Sequence, residues 1–174
     1  MTLVLILVTI AFVPMLMEAW RSAANERDLR AAGAREPPGD VYAVMQIAYP
    51  ASFGAMILEA WLRGRDWPVP TAAAGLLIFA AAKALKYWAV FTLGTRWTFR
   101  VLVPPQSGIT TAGPYRFLRH PNYAGVLGEL IGFALLASSP IAGLASFVCF
   151  GWLILVRIRV EERALGISDS RRPS

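Results

Sequence analysis

Apolar residues run through most of this chain in blocks long enough to cross a membrane, separated by short polar stretches. From Thr2 to Trp20 only Glu18 carries a charge, and at ~1.5 Å per residue such a helix nearly crosses a hydrocarbon layer of ~30 Å. It lacks the basic start of a signal peptide and runs into Glu18-Ala19-Trp20-Arg21 rather than a small-residue cleavage site, so a retained helix is expected. Arg21 to Asp40, with its arginines and the Pro37-Pro38-Gly39 turn signal, is expected to be a polar loop. Further spans are predicted over Val41 to Leu62 and Thr71 to Leu93, joined by a short link with two prolines. Pro121 to Val156 is too long for one span and is broken by Ser138-Ser139-Pro140, which predicts a hairpin of two helices over 121–138 and 140–157. The pattern therefore predicts an all-α integral membrane protein: one domain over residues 1–174, with spans at about 2–20, 41–62, 71–93, 121–138 and 140–157. Polar segments 94–125 and 157–165 lie at the two ends of the hairpin and face one compartment.

Composition sharpens this picture. Of 174 residues, 56% are hydrophobic and 16% charged, with a mean hydropathy of +0.51. A soluble domain of this size carries roughly a quarter charged residues, and five spans leave no room for a separate soluble catalytic domain. Any chemistry must sit in the helices or their connections. The net charge of +6 is explained by topology, so nucleic acid is not expected as a partner. Thirteen of the 17 basic residues fall on one side of the predicted spans and only Arg63 and Arg65 on the other, which predicts an external N-terminus and a cytoplasmic C-terminus. Cys149 is the only cysteine and His120 the only histidine, which excludes an intramolecular disulfide and a metal site built from either residue type.

The chemistry is concentrated in Gly113-Pro114-Tyr115-Arg116-Phe117-Leu118-Arg119-His120-Pro121-Asn122-Tyr123. Pro121 suits the first turn of a helix, which places His120 at its cap beside unpaired backbone N–H groups. With Arg116 and Arg119, that terminus is suited to a carboxylate or phosphate. Gly125, Gly128 and Gly132 then clear one helix face for close approach of a backbone or a ligand. Taken alone, these basic residues serve equally well to hold the phosphates of membrane lipids. A second motif, Arg157-Ile158-Arg159-Val160-Glu161-Glu162, follows the last span, with Arg157 and Glu161 on one helix face.

The pairing of Gly113-Pro114-Tyr115 and Arg119-His120-Pro121-Asn122-Tyr123 with Arg157 and Glu161-Glu162 after a hairpin resembles the isoprenylcysteine carboxyl methyltransferase family. The resemblance extends upstream through Leu93-Gly94-Thr95-Arg96-Trp97-Thr98. It is nearest to short bacterial members, some of which methylate hydroxyls of lipid-tailed pyrones or resorcinols. It implies a bacterial inner-membrane enzyme that uses S-adenosylmethionine and a lipophilic small-molecule or lipid acceptor. It also implies a cofactor site of Ile109, Thr110, Tyr115, Arg119, His120, Pro121, Asn122, Tyr123, Glu161 and Glu162, with Arg157 catalytic beside the acceptor and no metal. A carboxylate acceptor needs no base, whereas a phenolic or enolic hydroxyl must lose a proton.

Three departures from the family stand out. Short relatives often carry a histidine where this chain has Ala48-Tyr49-Pro50, a glutamine of the animal enzymes falls near Arg100, and the tail from Ser168 to Ser174 lacks a further amphipathic segment. Rival readings are a phospholipid N-methyltransferase, an NADPH-dependent sterol-type reductase with a similar Arg-His-Pro turn, and a small transporter or scaffold. Within the spans, Lys86 is expected to snorkel toward the cytoplasmic end, the alternative being that Lys83 or Lys86 pairs with Glu129. Glu59 is expected to be interfacial.

Overall fold

The computed structural model describes residues 2–64, 68–103, 105 and 110–164. Among these residues five α-helices follow one another: α1 (Thr2–Ala31), α2 (Tyr42–Arg63), α3 (Val69–Leu93), α4 (Pro121–Leu136) and α5 (Pro140–Ala164). Short 3₁₀ turns, Gly94–Arg96 and Gly113–Arg116, lie between α3 and α4. Among the described residues the only β pairing is the isolated bridge between Arg35 and Val103. Among the described residues three stretches, Thr2–Ala31, Val69–Arg96 and Pro140–Ala164, are long and apolar enough to cross a membrane. The fourth predicted span, α4, is apolar but only 16 residues long. The second, α2, falls outside that group because Tyr42, Gln46, Tyr49, Pro50 and Glu59 interrupt its apolar run.

The expected loop from Arg21 to Asp40 is corrected. α1 continues as helix to Ala31, because its buried stripe of Leu7, Ala11, Glu18, Ser22, Asn25 and Leu29 keeps helical spacing while changing from apolar to polar. The polar half is bound to the segment after α3: Asn25 Nδ2 donates to the carbonyls of Gly94 at 3.1 Å and Trp97 at 2.7 Å, and Ser22 Oγ accepts from Phe99 N at 2.7 Å. Gly33, at φ +85°, ends the helix in the left-handed conformation, with the Ala34 N–H returning to the Leu29 carbonyl at 2.9 Å. Trp97 is buried rather than placed at an interface, unlike the exposed Trp20, Trp61, Trp88 and Trp152.

α3 and α4 form the tightest pair, and the glycines explain it. A Cβ on Gly132 would stand 2.4 Å from Phe79 N, one on Gly128 2.8 Å from Ala82 Cβ, and one on Gly125 2.9 Å from Lys86 Cβ. The stripe therefore serves backbone approach between helices and not a ligand. On the other side of α4, Phe133 meets Phe53 of α2 at 4.8 Å between ring centroids, and Met56, Leu130 and Ile154 complete the core.

The buried charges overturn the snorkelling expectation. Lys86 is 2% exposed and its ammonium lies 2.5 Å from Glu18 and 3.4 Å from Glu129. Lys83 lies 2.9 Å from Glu18 and 3.0 Å from Glu129, so two lysines and two glutamates form a neutral quartet joining α1, α3 and α4. Tyr49 of α2 donates its hydroxyl to Glu129. Burial is tolerated because each charge meets two of opposite sign. Glu59 does more than face an interface: its carboxylate accepts from the N–H groups of Ile141 at 3.2 Å and Ala142 at 2.6 Å, which caps the start of α5.

Candidate functional site

The end of the bundle that carries residues 31–41, 94–103, 110–120 and 157–164 gathers most of the residues expected from sequence. His120 occupies the N-cap of α4 with Pro121 at its first turn, and the His120 side chain makes no capping hydrogen bond. The imidazole stacks on Tyr123 at 5.6 Å between ring centroids and reaches toward two carboxylates, Glu161 at 3.8 Å from Nδ1 and Glu162 at 3.5 Å from Nε2. Arg119, 64% exposed on its side chain, comes within 3.8 Å of Glu162. Tyr115 stands in the 3₁₀ turn at Gly113–Arg116, where burial, and after it the charge of Glu161, pushes its phenol up; it remains a donor. Thr110 lies at the edge, its hydroxyl accepting from Arg96 at 2.7 Å. Ile109 lies outside the described residues.

Arg157 does not pair directly with Glu161, although the two share a helix face. Its Nε donates to the Tyr123 hydroxyl at 2.9 Å, and that hydroxyl donates to Glu161 at 2.9 Å, so the tyrosine links the two. The guanidinium also meets Asp40 at 3.0 Å, the Phe99 carbonyl and, at 3.9 Å, Met45 Sδ. Asp40 is missing from the residues expected at the site, yet its side chain is 3% exposed and its carboxylate accepts in addition from the N–H groups of Tyr42 and Val101. Its position just before the apolar run that starts at Val41 is the signal that could have found it, since an Asp there holds the first free N–H groups of a helix.

Below this cluster, α1 and α2 flank an open-sided cavity of about 430 Å³, which α4 and α5 also line. Phe12, Met15, Leu16 and Met45 make apolar walls, Tyr49 and Lys86 line part of it, and Asn122, Tyr123 and Arg157 bring polar groups to it. Asn122 Oδ1 is buried, and among the described residues no donor reaches it. Carbonyl oxygens in such places are normally satisfied, which makes this one unusual. Among the described residues no group of three or more His, Cys, Asp and Glu is placed to hold a metal ion.

Fold and site together define an all-helical protein with long apolar helices and a mainly apolar cavity beside a charged, hydrogen-bonded cluster. Residues 73–167 match the model of the isoprenylcysteine carboxyl methyltransferase (ICMT) family, and the chain belongs to that family. It is a methyltransferase by that membership. It is 28% identical over 163 residues to the uncharacterized protein YpbQ of Bacillus subtilis, covering 92% of this chain and 95% of that one. An uncharacterized protein of Haemophilus influenzae is 28% identical over 145 residues, 83% of this chain and 84% of its own. Protein-S-isoprenylcysteine O-methyltransferase A of Arabidopsis thaliana is 28% identical over 90 residues, 51% of this chain and 46% of its own. No solved structure matches the chain.

Proposed function

We propose that this chain, as one membrane-embedded domain of five spans, is an S-adenosylmethionine-dependent O-methyltransferase acting on a lipophilic hydroxyl compound at the cytoplasmic face of a bacterial inner membrane. The observation that carries the reading is the apolar cavity between α1 and α2 running into Asn122, Tyr123 and Arg157. Such a chamber suits a lipid tail with its polar head at the cluster. The basic residues at this end of the bundle support a cytoplasmic orientation.

The donor set suits the cofactor. Arg119 lies 3.8 Å from Glu162, and His120 lies 3.5 Å from Glu162 and 3.8 Å from Glu161, a mixture of nitrogen groups and carboxylates that the amino-acid end of S-adenosylmethionine complements. Glu161 and Glu162 would hold its ammonium or ribose hydroxyls, while Arg119 and the α4 N-terminus would hold its carboxylate. Ile109, Thr110, Tyr115, Pro121 and Asn122 would complete the site around the rest of the molecule. When bound, the group supplies a methyl already activated on a sulfonium, so the protein's work is alignment and exclusion of water.

Arg157 serves the acceptor side. Its charge is already matched by Asp40 at 3.0 Å, with both side chains buried, so a second carboxylate brought here would meet no uncompensated cation. A neutral hydroxyl is better matched, because it needs no cation and can both donate to and accept from the polar groups that Asn122 and Tyr123 bring to the cavity. The test of the cofactor site is binding of S-adenosylhomocysteine to the purified full-length protein. Glu161→Ala and His120→Ala are each expected to weaken it by at least about tenfold, the loss of a charge-assisted hydrogen bond, with membrane insertion intact. Unchanged binding in both variants contradicts the site.

A further inference from the structure

A hydroxyl that becomes a methyl ether must lose its proton, and the polar end of the cavity contains a route for it. Tyr123 lines the cavity and its hydroxyl is already oriented: it accepts from Arg157 Nε at 2.9 Å and donates to Glu161 Oε2 at 2.9 Å. A phenolic oxygen has two acceptor lone pairs and one proton, so one lone pair is left for a donor in the cavity. Glu161 is 30% exposed on its side chain, and the same Oε2 lies 3.8 Å from His120 Nδ1. The chain of groups therefore begins at the buried acceptor end and finishes where water reaches it. Asn122 can accept a hydrogen bond but has no basicity with which to take a proton.

Resting on the hydroxyl-acceptor reading above, we infer that Tyr123 and Glu161 are catalytic as a proton exit, Tyr123 relaying the acceptor's proton to Glu161. In this step the acceptor oxygen forms its bond to the methyl carbon as the carbon–sulfur bond of the sulfonium breaks, the electron pair staying on sulfur. The acceptor's O–H bond breaks and its proton goes to Tyr123 Oη, while the proton of Tyr123 goes to Glu161 Oε2 and from there to water. One neutral hydroxyl and one sulfonium become an ether, a thioether and one proton, with no oxidant or reductant. Arg157, donating to the same oxygen, opposes accumulation of positive charge and stabilises any negative charge that develops on it.

The test uses the full-length protein in nanodiscs with S-adenosylmethionine and two long-chain phenols, one weakly acidic and one nitro-substituted so that it is ionised at the assay pH. Tyr123→Phe is expected to lower kcat about 10²-fold or more on the weakly acidic phenol, the usual contribution of general-base catalysis, and only a few-fold on the ionised one. S-adenosylhomocysteine binding is measured alongside, so that a loss common to both phenols is read as cofactor binding and only the excess loss on the weakly acidic phenol as proton transfer. A solvent deuterium effect on kcat of the native protein, present with the weakly acidic phenol and absent with the ionised one, supports the relay without any variant. Equal losses on both phenols, or no difference in the deuterium effect, overturn the relay while leaving the hydroxyl reading in place. Methylation by the native protein of lipid carboxylates and of neither phenol overturns both.

Discussion

Glu129→Ala is expected to destabilise the protein by about 3–5 kcal/mol, the cost of removing one partner from a buried ion network. Glu129 is fully buried, and its carboxylate meets both Lys83 and Lys86 and accepts from Tyr49. Without it, two ammonium groups share Glu18 alone, and the Tyr49 hydroxyl loses its acceptor. The measurement is thermal or denaturant unfolding in detergent, together with a compensating double variant. Glu129→Gln with Lys86→Met leaves the Glu18–Lys83 pair at 2.9 Å, keeps an acceptor for Tyr49 and restores neutrality. Most of the lost stability should return in the double variant. A single variant as stable as the native protein would show that the quartet contributes no net stability.

Arg157→Ala is expected to reduce methyl transfer by about 10²–10³-fold, the range seen when one preorganised electrostatic donor is lost. The same change should cost about 3–5 kcal/mol, because Asp40 is left as a buried, unpaired carboxylate. Arg157→Lys separates these effects. A single ammonium can answer Asp40 but cannot also reach the Tyr123 hydroxyl and the Phe99 carbonyl in the planar fork geometry of a guanidinium. It should recover much of the stability and little of the activity. Native activity in Arg157→Lys would mean that charge alone matters at this position.

The parts of this structure legible in the sequence are those set by local chemistry. Pro121 marks a first turn, which placed His120 at a helix cap, and the break at Ser138-Ser139-Pro140 divides a long apolar stretch into α4 and α5. The meeting of Arg119-His120 with Glu161-Glu162 followed from putting both ends of that hairpin on one side. What was not legible depends on partners distant in the chain. Glu18 stands 65 residues from Lys83 and 68 from Lys86, and helical spacing gives the face a residue occupies but not what lies opposite. The extension of α1 to Ala31 is of the same kind, since its polar turns are buried only because residues 94–99 pack on Ser22 and Asn25. Spacing along α5 relates Arg157 only to Glu161 at i, i+4, whereas Asp40 lies 117 residues away. The glycine stripe was visible, but only the facing backbone of α3 decides between helix packing and ligand approach.

The proposed reaction carries a methyl group from S-adenosylmethionine to the oxygen of a lipid-tailed hydroxyl compound. The most direct test incubates the native full-length protein, reconstituted in nanodiscs, with methyl-labelled S-adenosylmethionine and a long-chain phenol, followed by mass analysis of the lipid phase. The prediction is a saturable yield of labelled aryl methyl ether that S-adenosylhomocysteine suppresses. No labelled ether, together with thermal stabilisation by NADPH and none by S-adenosylhomocysteine, would contradict it.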